Sequence, residues 1–202
     1  MDAKSYIAQM EERIDRAQSG SAFTLSDFTD LMDYETAKKS ISRLEKKGTL
    51  RRVLRGIYDK PRYSNLLREQ AVPDPDRVAH AIARNYNWAI SPQGETSLNV
   101  LGLSTQVPAD WSYYSSGPTK EYPLYELSIK FLHRSNREMR GMSSNTLLMI
   151  QAIKAIGQYK ITDKEIMILR KSFTTEELTL ILQEGQNTTR WIYEVIKEIC
   201  KI

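Results

Sequence analysis

Cysteine is nearly absent from the sequence, and a long hydrophobic run is missing altogether. The single cysteine, Cys200, excludes an internal disulfide and any metal site built on paired cysteines. No window approaches the roughly 18 consecutive apolar residues of a membrane-spanning helix, and the charged opening MDAKSYIAQMEERIDRAQ lacks the apolar core of a signal peptide. We therefore expect a cytoplasmic protein that has no membrane partner.

Patterns typical of catalysis and metal binding are missing too. The two histidines, His80 and His133, lie far apart, and neither adjoins a recognisable nucleophile or acid. Asp27, Asp30 and Asp33 fall at predicted helix starts, where capping accounts for them better than a metal does. No glycine-rich phosphate loop is present. We therefore expect a protein that is not an enzyme and that has no catalytic residues, no metal site and no cofactor.

Positive charge, by contrast, is concentrated in one short stretch. The chain of 202 residues carries a formal net charge of only +4. Residues 34–62 contain ten lysines and arginines against three acids, a local net charge of +7, so the rest of the chain is negative at −3. A basic patch confined in this way is typical of a nucleic-acid contact.

Helix signals lie before and inside the basic stretch. An apolar stripe at helical spacing predicts a first helix from Ala3 to about Gln18. Thr24 and Asp27 have the spacing of a capping box and would begin a second, short helix. A third helix is predicted from Tyr34 to about Lys47, where Gly48 can end it in a left-handed conformation.

After Gly48 the sequence changes from helix formers to β formers. The segment TLRRVLRGIYDK has Arg55-Gly56 at its middle and stops before Pro61, which predicts a two-stranded hairpin. Helix, short helix, longer helix and hairpin is the order of elements in a winged helix-turn-helix. We therefore predict a DNA-binding domain of this type over residues 1–64.

The third predicted helix has one apolar and one polar side. Ala37, Ile41 and Leu44 recur at helical spacing and are expected to face the core. The opposite side would lie in the major groove of DNA, with the hairpin beside it holding the sugar-phosphate backbone. The predicted DNA-binding residues are Thr36, Lys38, Lys39, Ser42, Arg43, Lys46, Arg51, Arg52, Arg55, Lys60 and Arg62.

The remaining residues, 65–202, are predicted to form a mixed region of helices and strands. Aromatic and β-branched residues around a turn at Gly117-Pro118 indicate a small sheet over about 88–134. Two capping-box patterns mark helix starts within a helical tail over about 143–202. The predicted fold class is α+β, with the winged helix-turn-helix at the N-terminal end.

Two segments resemble the AbiEi-type antitoxin family of type IV toxin–antitoxin systems, in particular its shorter winged-helix members. The first is L-x-R-V-x-R-G-I-Y from Leu50 to Tyr58, and the second is N-x-L-G-L-S-T-Q-V-P from Asn99 to Pro108. Together with the helical tail, the resemblance extends over nearly the whole chain. The region after the predicted winged helix is shorter here than in the longer antitoxins, and its layout is different from theirs.

The resemblance implies two activities. The winged helix would bind the protein's own promoter as a repressor, and the rest of the chain would counteract a nucleotidyltransferase-like toxin encoded next to it. Type IV antitoxins and toxins need not form a stable complex. The DNA-reading positions implied by the resemblance are Thr36, Lys38, Lys39, Ser42 and Arg43 on the helix, with Arg51, Arg52 and Arg55 on the wing.

Other functions stay open beside this antitoxin-like repressor. The chain would act as a winged-helix regulator without antitoxin activity if its second region sensed a ligand or mediated dimerisation. A winged helix can also serve as a module that binds protein or RNA, and a steep salt dependence of DNA binding would separate the first two functions from this one. An enzyme acting on nucleic acid would need clustered carboxylates, which the sequence does not show. For a DNA binder, we expect two copies on an inverted repeat, because one winged helix has a small footprint.

Overall fold

A computed structural model describes residues 5–65, 68–134 and 142–201 of the chain. The fold mixes helices and strands and is of the predicted α+β class. It divides into two compact units, Met1–Trp88 and Ala89–Ile202. Over the described ranges, no helix has the length and apolar character needed to cross a membrane.

The first unit contains the basic stretch. In chain order its elements are α1 (Tyr6–Arg16), β1 (Ala22–Thr24), a 3-10 turn (Leu25–Phe28), α2 (Tyr34–Lys46), β2 (Arg51–Leu54), β3 (Ile57–Asp59), β4 (Tyr63–Ser64), β5 (Glu69–Gln70) and α3 (Pro75–Tyr86). An antiparallel sheet has the strand order β1-β3-β2, and β4 pairs with β5 in a separate ribbon. The predicted helices and hairpin are confirmed, although the predicted start of the first helix, Ala3, lies outside the described residues.

The short second helix is a single 3-10 turn. The Thr24 backbone N–H donates to the Asp27 carboxylate at 2.8 Å, so the predicted capping box forms. The rings of Phe23 and Phe28 stack with their centroids 5.8 Å apart, as expected of residues flanking a helix start. The turn leads directly into the loop before α2 and fixes the direction from which the chain enters that helix.

Helix α2 is defined by its two ends and its buried side. The Asp33 carboxylate accepts a hydrogen bond from the Thr36 backbone N–H at 3.0 Å and caps the first turn. Gly48, with φ +79°, ends the helix in the left-handed conformation. The core beneath α1 and α2 consists of Met10, Ile14, Phe23, Phe28, Met32, Ala37, Ile41, Leu44 and Leu50. Burial of such side chains contributes about 1.5–3 kcal/mol for each large one.

The first unit extends beyond the predicted boundary at residue 64 because α3 packs on β1. Asp74 caps this helix, with its carboxylate accepting from the Asp76 and Arg77 backbone N–H groups at 3.0 and 3.2 Å. The side of α3 that faces the unit is small and apolar, which permits close approach. Its buried residues are Val78, Ala79, Ala81, Ile82 and Ala83.

A buried ion pair joins the two strands of the hairpin. Asp59 is only 1% exposed, and Arg51 opposite it donates from Nε and Nη2 to the two carboxylate oxygens at 3.0 and 2.5 Å. The remaining Nη1 of Arg51 donates to the Ala71 carbonyl oxygen at 3.0 Å, which fastens the chain after β5 to the edge strand β2.

The second unit combines a four-stranded sheet with helices. Its elements are β6 (Ile90–Pro92), α4 (Glu95–Val100), β7 (Asp110–Ser115), β8 (Lys120–Leu124), β9 (Leu127–His133), α5 (Ser144–Ile156), α6 (Asp163–Lys171), α7 (Thr175–Glu184), a 3-10 turn (Gly185–Asn187) and α8 (Arg190–Ile199). The strand order is β6-β7-β9-β8, with β7 and β9 parallel. The predicted sheet and helical tail are confirmed within the described residues, and both predicted capping boxes form.

Replacing Arg51 with methionine should lower the free energy of unfolding of the first unit by about 3 kcal/mol, because the buried Asp59 carboxylate would lose its cation. Urea unfolding followed by circular dichroism measures the change. The matched control is Arg52→Met, an exposed arginine on the same strand, which should alter stability by no more than about 0.5 kcal/mol. Equal losses in the two variants would contradict the role assigned to the buried pair.

Candidate nucleic-acid interface

The solvent-facing side of α2 carries four of the nine cations predicted to touch DNA. Ala37, Ile41 and Leu44 are buried, as the sequence predicts, so the residues on the other side of the helix face solvent. The exposed residues of the predicted set on this helix are Lys38, Lys39, Ser42, Arg43 and Lys46.

Two arginines project from the hairpin that follows α2. Arg52 lies in β2 and Arg55 lies at the turn, and both are exposed. Gly56 completes the turn with φ +80°, a conformation in which a residue with a side chain would be strained. The turn therefore fixes where Arg55 leaves the hairpin.

The hairpin and α2 meet at Tyr58. Arg52 is the register partner of Tyr58 across the two strands. Burial raises the pKa of Tyr58, the charges of Glu45 and Tyr34 raise it further, and the positive charge of Arg52 opposes them. Tyr58 also packs against the core beneath α2, which includes Ala37, Ile41 and Leu44. The strand that pairs with Arg52 therefore contacts the buried side of the helix.

We define the basic surface as seven exposed cations of this region: Lys38, Lys39, Arg43, Lys46, Arg52, Arg55 and Arg62. None of these side chains makes a hydrogen bond or an ion pair with any residue that the structure describes. Most exposed cations elsewhere in the first unit have a partner. The seven cations therefore make no hydrogen bond or ion pair that stabilises the described part of the fold.

Two cations of the predicted set belong to the scaffold instead. Arg51 is bonded to Asp59, as described above. Lys60 donates from Nζ to the carbonyl oxygens of Ile14, Asp15 and Ala17, at 3.0, 2.9 and 3.0 Å. These carbonyls lie in the last turn of α1 and just beyond it, where a positive charge complements the helix dipole. The Ile14 carbonyl oxygen also accepts from the Ala17 backbone N–H at 3.1 Å. Arg51 and Lys60 therefore lie outside the basic surface.

Thr36 and Lys47 are also engaged within the unit. The Thr36 hydroxyl donates to Asp33 Oδ2 at 2.7 Å, and this hydrogen bond is the main cause of a lowered pKa of Asp33. Lys47, which adds to the local charge but is not in the predicted set, pairs with Glu11 at 2.7 Å. The hydrogen bond to Glu11 raises the pKa of Lys47. Neither side chain is free in the way the seven cations are.

The three aspartates at the helix starts each have a separate structural partner. Asp33 caps α2, and Asp27 closes the capping box. Asp30 binds Arg13 through both carboxylate oxygens, at 2.7 and 2.6 Å, and that hydrogen bonding lowers the pKa of Asp30. In the part of the chain that the structure describes, no three residues of His, Cys, Asp and Glu are grouped so that they could hold a metal ion.

The second segment of the antitoxin resemblance closes a loop after α4. The Asn99 side-chain amide donates to the Gln106 carbonyl oxygen at 2.9 Å. The Leu103 backbone N–H donates to the Leu98 carbonyl oxygen at 2.8 Å, with Gly102 between them at φ +68°. These residues hold the loop to its own helix, which gives this motif a structural role within the second unit.

The chain is similar to one protein family and, more distantly, to a solved structure. A family model described as "Family of unknown function (DUF6088)" matches residues 9–180. The crystal structure of the RV2827C protein from Mycobacterium tuberculosis is similar with a TM-score of 0.41 and 13% sequence identity, over 98% of this chain and 77% of that chain. No curated protein matches the chain.

Replacing Lys60 with methionine should lower the free energy of unfolding by about 1–2 kcal/mol, because three carbonyl groups at the end of α1 lose their donor. The control is Lys39→Met, which removes the same charge from an exposed position without a described partner. Its free energy of unfolding, measured by urea denaturation, should stay within about 0.5 kcal/mol of that of the unchanged protein. A loss of similar size in Lys39→Met would show that the two lysines do not differ as their contacts indicate.

Proposed function

The chain belongs to the DUF6088 family, and we propose that it binds double-stranded DNA as a winged helix-turn-helix protein. The observation that carries this proposal is the basic surface, whose seven cations are exposed and lack partners among the described residues. In this proposal α2 is the recognition helix, and the β2–β3 hairpin is the wing. The 3-10 turn Leu25–Phe28 replaces the usual helix before the recognition helix.

The dimensions of α2 suit the major groove. Its 13 residues extend about 20 Å at 1.5 Å per residue, and a helix with side chains fits the groove width of about 12 Å. The buried side of α2 is held by the core, so that its cationic side can face DNA without exposing apolar residues. Lys39 and Arg43, one helical turn apart, are the central cations of that side.

The lack of partners favours a contact with phosphate groups. Concentrating exposed like charges in one stretch of the first unit destabilises the free protein wherever neighbouring cations repel each other. Duplex DNA presents a dense array of phosphates, and each phosphate neutralised by Lys or Arg releases condensed counterions. The repulsion is relieved when DNA covers the surface. Arg52 and Arg55 on the wing would hold the backbone, while Arg43 is suited to a guanine edge.

We further propose that the bound DNA is the protein's own promoter, and that the chain also acts as an antitoxin. This part of the proposal rests on the resemblance of Leu50–Tyr58 and Asn99–Pro108 to AbiEi-type antitoxins. It assigns repression to the first unit and the neutralisation of a nucleotidyltransferase-like toxin to the second. Two copies would occupy an inverted repeat, since half-site symmetry follows from paired winged helices.

The double variant Lys39→Ala/Arg43→Ala should weaken binding to a fluorescent duplex from the upstream region by at least tenfold. Fluorescence anisotropy at several salt concentrations measures the affinity and its salt dependence. Because two phosphate-facing charges are lost, the slope of log K against log salt should become shallower by about 2. The unchanged protein should prefer this duplex over a scrambled one.

The matched control for this experiment is Lys160→Ala/Lys164→Ala, which removes two exposed lysines from the second unit. The control should bind like the unchanged protein, since the net charge falls equally while the basic surface is intact. Equal weakening in both double variants would mean that only net charge matters. Weak binding of all proteins to both duplexes would remove the basis for a DNA-binding function.

The antitoxin activity is testable separately, by expressing the chain together with the nucleotidyltransferase-like toxin that the proposal places beside its gene. Growth should be restored by the unchanged chain and equally by Lys39→Ala/Arg43→Ala, because neutralisation is assigned to the second unit. Toxin expressed from an unrelated promoter keeps repression from contributing to the result. If the unchanged chain does not relieve the growth arrest, the antitoxin part of the proposal is wrong, and the chain would be a DNA-binding regulator without antitoxin activity.

A further inference from the structure

A groove in the first unit lies between α1, β1 and α3, away from the basic surface. Its volume is about 570 Å³, within the range of small-molecule sites. Its polar lining is Arg13, Asp27, Arg77, His80 and Arg84, and its apolar part includes Phe23. Three guanidinium groups line the groove, and each is also paired with a carboxylate: Arg13 with Asp30, Arg84 with Asp27, and Arg77 with Asp74 at 3.6 Å.

The cationic residues converge because of helix periodicity. Arg77, His80 and Arg84 occupy positions i, i+3 and i+7 of α3, which fall on one side of the helix. Arg13 approaches from α1 on the other side of the groove. Arg13 is more than 60 positions away from the α3 residues in the sequence, so the cluster exists only in the folded unit.

Arg84 keeps donors that its partners do not use. Its Nε and Nη2 donate to the two oxygens of Asp27 at 3.1 and 3.2 Å, and Nη2 also donates to the Ala22 carbonyl oxygen at 2.9 Å. Among the described residues, Nη1 has no acceptor. An arginine has five N–H groups, so two of them remain for a ligand.

Arg77 and Arg13 also retain unused N–H groups while their orientation is fixed. Arg77 donates from Nη1 to the Ser19 carbonyl oxygen and to Ser21 Oγ, at 3.2 and 3.4 Å, and from Nη2 to Gln18 Oε1 at 2.5 Å. Its Nε lies 3.6 Å from Asp74 Oδ2, so one N–H of Nη2 remains. Arg13 binds Asp30 and the Asp27 carbonyl oxygen through Nη1 and Nη2. Its Nε has no acceptor within the described residues. The guanidinium groups are therefore positioned before any ligand arrives, which lowers the entropy cost of binding.

We propose that this groove is a binding site for a small molecule that carries a phosphate or diphosphate group. A single carboxylate has two oxygens and one charge, which one guanidinium can satisfy. Three guanidiniums that keep unused N–H groups around one space instead suit an anion with more oxygens, as phosphate has. The apolar wall at Ala17, Ala22 and Phe23 accommodates the uncharged part of the ligand.

The groove is separate from the basic surface. It adjoins β1, whereas Arg52 of the basic surface lies in β2, and β3 lies between these two edge strands. With strands about 4.8 Å apart, β1 and β2 are separated by about 10 Å. The phosphate site therefore does not depend on the proposed DNA binding and can be tested without DNA.

The experiment is a calorimetric titration of the full chain with inorganic pyrophosphate at constant ionic strength. The informative variant is Gln18→Glu, which has nearly the same shape, keeps an acceptor for Arg77 and adds a carboxylate beside the groove. We expect saturable binding to the unchanged chain and at least tenfold weaker binding to Gln18→Glu. The matched control is Gln158→Glu, the same change at an exposed position of the second unit, which should bind as the unchanged chain does.

Two further titrations identify the site and the ligand class. Lys39→Ala/Arg43→Ala should retain pyrophosphate binding, and its loss there would move the site to the basic surface and overturn the proposal. Citrate should bind at least tenfold more weakly than pyrophosphate, and equal affinities would overturn the phosphate assignment. The proposal is likewise wrong if the unchanged chain shows no saturable binding, or if Gln18→Glu and Gln158→Glu are weakened equally.

Discussion

The buried carboxylate of Asp59 is the constraint on which the basic surface depends. A carboxylate that is 1% exposed needs a cation, and Arg51 supplies it from the adjacent strand. Because side chains alternate along a strand, placing Arg51 inward obliges Arg52 to face outward. A slip of one residue would move every side chain of β2 to the other face of the sheet. The pairing of Arg51 with Asp59 therefore goes with the observed register, in which Arg52 is the arginine exposed on the hairpin.

The basic stretch contains two classes of cation, which differ in their partners. Arg51, Lys47 and Lys60 each bind an acceptor that the fold supplies, and they hold β2, α2 and α1 in place. The seven cations of the basic surface have no such acceptor among the described residues. A surface selected only for solubility would alternate charges of both signs, since opposite neighbours relieve repulsion. On α2, four such cations share the exposed side of the helix with the acid Glu35, which leaves an excess of positive charge there.

The sequence predicts what depends on neighbouring residues and misses what depends on distant ones. The caps at Thr24 and Asp33 and the turn at Gly56 arise from residues within three positions of each other, and all are present. Strand β1 has only three residues, which are too few to show the alternation of apolar and polar residues that identifies a strand in a sequence. The bond from Lys60 to Ile14 spans 46 positions, so in the sequence this lysine is indistinguishable from one without a partner. The groove arginines were missed for the same reason, since their spacing in α3 is visible but their approach to Arg13 is not.

Helix α1 lies beside both proposed binding surfaces, yet its contacts argue that they act independently. It packs on α2 through Met10 and Ile14 and supplies Arg13 to the groove. Ser5 caps its first turn, and Lys60 holds three carbonyls at its last. Coupling between two sites requires an element with two stable arrangements. A helix that is fixed at both ends and packed on a core is held in a single arrangement. A ligand in the groove would therefore stabilise the arrangement of α1, β1 and α3 that already exists, without redirecting α2.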